Sequence, residues 1–196
     1  ITISKAVPIA LAVVFGLCAV AMIGIMVYFS CIDTKTDLGS SERIIRFNDI
    51  WGTHRGFMWI RSIWIFGDAS FIEKLFGVGP DMFYSAFSPY FDDLSKYGDS
   101  STNAAHNEYL NYLITIGITG LLSYLAIVCG TIKNAVKYAK ENPMLIACVS
   151  AVICYAVQAV VNLYQPITTP LFFIFIALCE AFVRNAKAEK SAVSAV

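Results

Sequence analysis

Residues 8–29 (PIALAVVFGLCAVAMIGIMVYF) form an apolar run of about 22 residues that carries no charge. At about 1.5 Å of rise per residue, a helix of that length covers the ~30 Å hydrocarbon core of a bilayer. Inside lipid, only a helix or a closed barrel satisfies every backbone N–H and C=O. The run therefore predicts a first transmembrane helix within residues 1–30. The rest of the chain suits the same solvent, because 58% of its 196 residues are hydrophobic and only 14% are charged. A soluble domain with that balance would expose too much apolar surface. The net charge of zero leaves no basic block to neutralise phosphates and argues against a nucleic-acid partner.

Three further apolar runs, at 109–132, 144–163 and 171–183, predict three more spans within residues 106–184. The last run is short for a span unless it begins near Ile167. The expected fold is therefore an all-α integral membrane protein with about four transmembrane helices. Between the first and second spans lies a loop of about 75 residues, 31–105, too aromatic for disorder and expected to hold short interfacial helices. Lys5, Lys133, Lys137, Lys140, Arg184, Lys187 and Lys190 flank the short connections on one side. That side is expected to be cytoplasmic, with 185–196 as a cytoplasmic tail and the long loop facing outward. The chain starts at Ile1 with no cleavable-leader pattern, so it is expected to be the C-terminal piece of a larger polytopic protein. The six cysteines have no metal or disulfide spacing; Cys18, Cys129, Cys148, Cys154 and Cys179 fall in apolar runs and are expected to behave as small buried hydrophobes, with Cys31 near a boundary.

Within the loop, residues 51–66 (WGTHRGFMWIRSIWIF) are too short and too polar to span. Trp51, Trp59 and Trp64 prefer the headgroup region, which predicts an interfacial helix near 55–66. On that helix Arg55, Trp59 and Ser62 share a face, with Arg61 about 120° away. The following Leu75-Phe76-Gly77-Val78-Gly79-Pro80-Asp81 is a glycine-rich turn that lacks the third glycine of a dinucleotide fingerprint. Gly77 and Gly79 are expected to allow backbone angles or approaches that a side chain would block. Between Phe83 and Tyr97, aromatics alternate with Asp92, Asp93 and Lys96, a mixture suited either to sugar faces and hydroxyls or to packing on the membrane interface.

At Asn103-Ala104-Ala105-His106-Asn107-Glu108-Tyr109-Leu110 the polar loop turns into the second apolar helix. His106 is thereby placed at the membrane surface, either as a general base or as a polar helix-start residue. The positive end of the helix dipole favours neutral imidazole. Glu108 lies about 200° around the helix from His106 and reads as a complement to that dipole.

Taken together, Arg55-Gly56-Phe57-Met58-Trp59, the Leu75 to Phe83 segment, and Ala105-His106-Asn107-Glu108-Tyr109-Leu110 followed by Gly117 and Gly120-Leu121-Leu122 resemble the C-terminal domain of the O-antigen ligase and O-antigen polymerase family of bacterial inner-membrane glycosyltransferases. The resemblance covers about residues 50–130. It implies transfer of a saccharide from an undecaprenyl-diphosphate-linked oligosaccharide to a hydroxyl of an acceptor glycan or glycolipid, on the outer side of the bacterial cytoplasmic membrane. It also implies no metal ion and no cofactor, and a partner surface supplied by the N-terminal half of the same protein. By the same resemblance the family's loop arginine falls on Arg55 and its functional histidine on His106.

The chemistry is consistent with those positions. Displacing a diphosphate from an anomeric carbon builds negative charge, and a guanidinium binds phosphate oxygens bidentately without losing its proton. Arg55 is the first candidate for that role, with Arg61 in reserve, and His106 is the candidate base for the acceptor hydroxyl. Trp59, Asn107 and Tyr109 are the neighbouring candidates for substrate contact, and Asn162, Gln165 and Pro166 in the outer turn are candidates for the acceptor path. Ligase and polymerase activities both stay open. A transporter-like or structural membrane module is the alternative, which would be expected to carry ionisable groups or broken helices at membrane depth. In the sequence only Gln158 sits well inside a predicted span.

Overall fold

The computed structural model describes residues 6–194. Lys5, expected to flank the first span, lies outside them, as do residues 195–196 of the expected tail. The described chain is helical, with no strand. In order, the helices are α1 (Ala6–Val27), α2 (Glu42–Ile45), α3 (Trp51–Asp68), α4 (Phe71–Phe76), α5 (Phe83–Phe87), α6 (Phe91–Ser95), α7 (Glu108–Thr115), α8 (Gly117–Tyr138), α9 (Met144–Gln158) and α10 (Thr168–Ser194). Two compact units divide the chain, residues 1–60 and 61–196, with the boundary inside α3.

In the first unit, α1 continues into a wider π-turn over Tyr28–Ile32. The segment Val13–Ile32 is long and apolar enough to cross a bilayer, and none of its residues is buried among the described residues. A helix that is apolar all round needs lipid or other protein on every side. The chain leaving it is tied down by Arg46, whose Nε donates to the Phe29 carbonyl (3.1 Å), Nη1 to Glu42 Oε1 (3.1 Å) and Nη2 to the Thr36 carbonyl (2.8 Å). Beside it, Phe47 N–H donates to Ser30 Oγ at 2.7 Å. Asp33 folds its own turn by accepting from Thr36 Oγ1 at 2.6 Å and from the Thr36 N–H at 3.1 Å. These bonds from Thr36 hold the exposed Asp33 carboxyl below the ordinary aspartate range.

In the second unit, α8, α9 and α10 pack together on two apolar clusters. One gathers Ala135, Leu145, Cys148, Val149, Cys179 and Val183; the other gathers Tyr124, Val128, Val152 and Phe172. Gly117–Tyr138 is the second stretch long and apolar enough to cross a bilayer. The 15 residues of α9 are apolar but extend only about 23 Å. The 27-residue α10 begins at Thr168, close to Ile167, and continues through the expected tail to Ser194. Its basic half returns to the end of α8, where Lys190 Nζ lies 3.5 Å from Glu141 Oε1 and Lys187 lies over the Tyr138 ring. The two basic segments therefore sit at one end of the α8–α10 bundle.

The structure differs from the sequence expectation in three places. The expected second span is not one helix, since it breaks at Ile116–Gly117 into α7 and α8, with Gly117 at φ +69°. The third helix stops at Gln158, five residues before the end of the expected run, because residues 159–163 turn. Of the six cysteines only Cys148 and Cys179 are buried; Cys18, Cys31, Cys129 and Cys154 lie on outward-facing surfaces of the chain. An apolar run does not by itself say which face of its helix meets protein and which meets lipid.

The break in the second apolar run is built by two glycines. The capping box of α4, in which Ser70 and Glu73 bond each other's backbone N–H, starts a helix that ends at Gly77 with φ +77°. There Val78 N–H donates to the Ile114 carbonyl (2.9 Å) and Gly79 N–H to the Thr115 carbonyl (3.0 Å). A Cβ on Gly77 would run into the Thr115 and Ile116 backbone, and one on Gly117 into the backbone of Leu75 and Phe76. Thr119 Oγ1 adds a 2.7 Å bond to the Leu75 carbonyl. Each backbone thus occupies the space where the other's side chain would stand. Replacing either Gly77 or Gly117 by Ala is expected to cost at least ~1–3 kcal/mol, from positive-φ strain and overpacking combined. In the detergent-solubilised full-length protein this would appear as a lower thermal midpoint, whereas Gly16→Ala, where nothing lies within 4 Å of the added carbon, would leave it unchanged.

Candidate active site

The start of α7 is set by a short sequence of backbone constraints. His106 is a non-glycine residue at φ +50°, and the reversal it makes leaves Ala104 and Ala105 buried and His106 half-buried. A left-handed residue of this kind costs on the order of 1–3 kcal/mol and persists only where its surroundings hold it. Asn107 is the N-cap, with its side-chain oxygen accepting from Leu110 N–H at 3.0 Å. Glu108 N–H donates to the Ala159 carbonyl (2.9 Å), and Tyr109 Oη donates to the Ala156 carbonyl (2.7 Å). The first turn of α7 is therefore fastened to the end of α9. His106, Asn107 and Tyr109 share this turn, and the Asn107 and Tyr109 side chains both hold the scaffold together.

Glu108, read from the sequence as a surface complement to the dipole, is only 1% exposed. Its Oε2 accepts from Tyr155 Oη at 3.0 Å, while Oε1 is enclosed with no hydrogen-bond partner among the described residues. Tyr155 Oη also lies 2.9 Å from Thr169 Oγ1, which accepts from Gln165 N–H at 3.0 Å. Because Tyr155 Oη donates to Glu108, each hydroxyl has only one consistent direction. Gln165 N–H donates to Thr169, Thr169 to Tyr155, and Tyr155 to the carboxylate. This relay joins the starts of α7 and α10 through α9. The contact between Glu108, Tyr155 and Thr169 was not read from the sequence, and only the Glu within an otherwise apolar helix start offered a signal for it.

Next to this relay, Asp81, Asn111, Tyr112, Thr115, Tyr164 and Thr169 line an open pocket of about 220 Å³. Asp81, at φ +59°, is delivered there by the docked glycine turn and accepts from Tyr164 Oη at 3.0 Å. Burial first, and then the Asp81 carboxylate, raise the Tyr164 phenol above its ordinary value. Of the outer-turn candidates, Gln165 supplies its backbone N–H to Thr169, while Tyr164 supplies the side chain that reaches the pocket.

Arg55 and Trp59 belong to the first unit; Arg61 belongs to the second, as do His106, Asn107 and Tyr109. Arg55 follows a left-handed turn made by Gly52, Thr53 and His54 (φ 58°, 58° and 67°), after which α3 is right-handed. Arg55 is half-buried, and no described residue engages it in a hydrogen bond or ion pair. Trp59 packs against Trp51 and Phe47, with ring centroids 5.1 and 6.0 Å apart. Arg61 lies over the Trp64 ring, 4.7 Å from its centroid. The exposed Asp93 carboxyl is held below the ordinary aspartate range chiefly by Lys96, with a smaller pull from Arg61. Among the described residues no group of His, Cys, Asp and Glu is arranged to hold a metal ion.

These features define a helical protein with two bilayer-length apolar helices and a polar site at the start of a broken one. The family model for O-antigen ligase matches residues 2–125, and the chain belongs to that family. No curated protein and no solved structure gave a significant match. Membership supports a glycosyltransferase-type role in polysaccharide assembly at a membrane. The matched region contains Arg55, the glycine turn and the start of α7, but ends within α8.

Removing the Tyr155 hydroxyl (Tyr155→Phe) takes away a 3.0 Å donor to a buried carboxyl group, and is expected to cost about 1–3 kcal/mol. Glu108→Gln is expected to couple with it, so that the double variant is less destabilised than the sum of the two. Thermal unfolding of the four proteins in a double-mutant cycle checks this, and strict additivity would show that the bond is not formed.

Proposed function

We propose that this chain forms part of a membrane glycosyltransferase that moves a saccharide from undecaprenyl diphosphate to an acceptor hydroxyl in surface polysaccharide assembly. The observation that carries the reading is the family match together with a strained His106 at the start of α7. In the proposed reaction, the acceptor hydroxyl gives its proton to neutral His106 and its oxygen bonds to the anomeric carbon. The bond from that carbon to the diphosphate oxygen breaks, and the carrier diphosphate leaves with the electron pair. Arg55, uncommitted within the described chain, stabilises the charge that builds on the leaving oxygens. Arg61, already stacked on Trp64, is the weaker candidate for that work. A donor held by its lipid and its diphosphate fits a four-span reading of α1 and α8–α10 with the loop outside, an N-terminal half completing the site, and no metal. O-antigen polymerase and ligase differ in acceptor, and both are compatible with this chemistry.

The transporter-like alternative gains from the structure. The helix break at Ile116–Gly117 and the buried Glu108 are features such a protein would show, and the sequence had hidden both. The family match favours the glycosyl-transfer reading over it.

The test uses the full-length protein in a host lacking its own copy. With equal amounts in the membrane, His106→Ala is expected to lower transfer by ~10²–10⁴-fold and Arg55→Ala by ~10²–10³-fold. Both should leave short carrier-linked units in place of long chains. Wild-type polysaccharide from both variants would return the transporter or scaffold reading to the front.

A further inference from the structure

The pocket beside α7 has no part in the chemistry assigned to His106 and Arg55. Its volume of about 220 Å³ equals the share of roughly seven liquid waters at ~30 Å³ each, below the ~300–1,000 Å³ of sites that enclose drug-sized ligands. That is room for one sugar ring.

The polar groups of the lining already have partners on one side only. Asp81 gives Oδ1 to Tyr164 and keeps Oδ2 as an acceptor. Asn111 is 4% exposed and turns Oδ1 to the Ala105 N–H (3.4 Å), which leaves its amide NH₂ as a donor. Thr169 takes the Gln165 N–H, gives its proton to the Tyr155–Glu108 relay and keeps one lone pair. Thr115 spends its proton on the Asn111 carbonyl at 2.8 Å and keeps acceptor capacity. Three acceptor groups and one donor group, with the rings of Tyr112 and Tyr164, therefore line one small space. Neighbouring hydroxyls on an otherwise apolar ring face match that set, because each hydroxyl both donates and accepts. A lipid tail would leave these groups unbonded, at a cost. A phosphate would meet the Asp81 carboxylate, and no Lys or Arg lines the pocket among the described residues.

We infer that this pocket is a subsite for one uncharged pyranose ring of the glycan, with Asp81, Asn111 and Thr169 reading its hydroxyls. The inference rests on the glycosyl-transfer reading above and extends it to residues outside the described chemistry. The Glu108–Tyr155–Thr169 relay acts by positioning. It fixes the direction of the Thr169 hydroxyl and ties the pocket to the turn that carries His106.

The experiment uses detergent-solubilised full-length protein and saturation-transfer NMR. The probes are oligosaccharide fragments released from the host's own surface polysaccharide by partial acid hydrolysis, with inorganic diphosphate as a control. Asp81→Asn and Thr169→Val are expected to weaken fragment binding about tenfold to a hundredfold and to leave diphosphate binding unchanged. Gly16→Ala, where the added carbon meets nothing within 4 Å, is expected to bind fragments as wild type does. Wild-type binding by both pocket variants of the fragments and also of the repeat unit on a short water-soluble prenyl diphosphate would overturn the subsite. Should Asp81→Asn fail to fold, Tyr164→Phe keeps the ring and carboxylate but frees Asp81 to turn; a several-fold loss is expected, and none would again overturn it. Comparing free fragments with the repeat unit on a short water-soluble prenyl diphosphate assigns the ring, because the pocket variants weaken the first if it belongs to the acceptor and the second if it belongs to the donor. Full transfer by His106→Ala with weak fragment binding in the pocket variants would remove the base assignment and leave the subsite standing.

Discussion

The site end of the second unit depends on two stretches of backbone crossing where neither has a side chain. Gly77 and Gly117 each stand in the space the other's Cβ would need, so the glycine turn can pair its N–H groups with the last carbonyls of α7. A helix that ends has unsatisfied carbonyls, and where they are shielded from water those are expensive. The glycine turn meets that demand for Ile114 and Thr115, which is why an apolar run long enough for one helix can afford to be two. The same contact delivers Pro80 and Asp81 next to α7.

From that contact the site is assembled by hydrogen bonds between elements far apart in sequence. The ends of α7 and α9 are joined through Glu108 N–H and Tyr109 Oη, and the start of α10 is joined to both through Tyr155 and Thr169. Glu108 is enclosed and Tyr109, Tyr155 and Thr169 are half-buried, and an unmade bond to a buried group costs more than the bond itself contributes. The polar atoms are therefore held in fixed directions. That rigidity is what a site needs if a proton is to leave one hydroxyl and not its neighbours. In the first unit, Arg46 works similarly by fastening the loop after α1 through three carbonyl or carboxylate bonds, while Arg55 is left without such a partner. Two arginines nine residues apart are thus separated into a structural and an available one by their surroundings alone.

Much of the fold was legible because membrane helices answer to length and hydropathy. The 8–29 run, the loop rich in Trp and Tyr, and the basic residues at one end of the bundle all follow from rules that need no knowledge of packing. The family itself was legible for a different reason, as a resemblance that the match over residues 2–125 supports. The break at Ile116–Gly117 was not legible. A glycine in an apolar run is compatible with a continuous helix, and only the arrival of Gly77 shows why the helix stops there. Glu108 misled because helix periodicity gives its angle from His106 without saying that α9 and α10 close over that side.

What the sequence determined by itself was the solvent and the chemistry on offer: apolar runs that only a bilayer or more protein can cover, and two histidines and a few arginines in a chain of which only 14% is charged. Tertiary structure alone decided which polar groups meet. Asp81, Asn111, Tyr155, Tyr164 and Thr169 lie on five separate segments and have no spacing to betray them. They come together because hydrogen bonds in a low-dielectric interior must be completed with whatever partners the packing brings within reach.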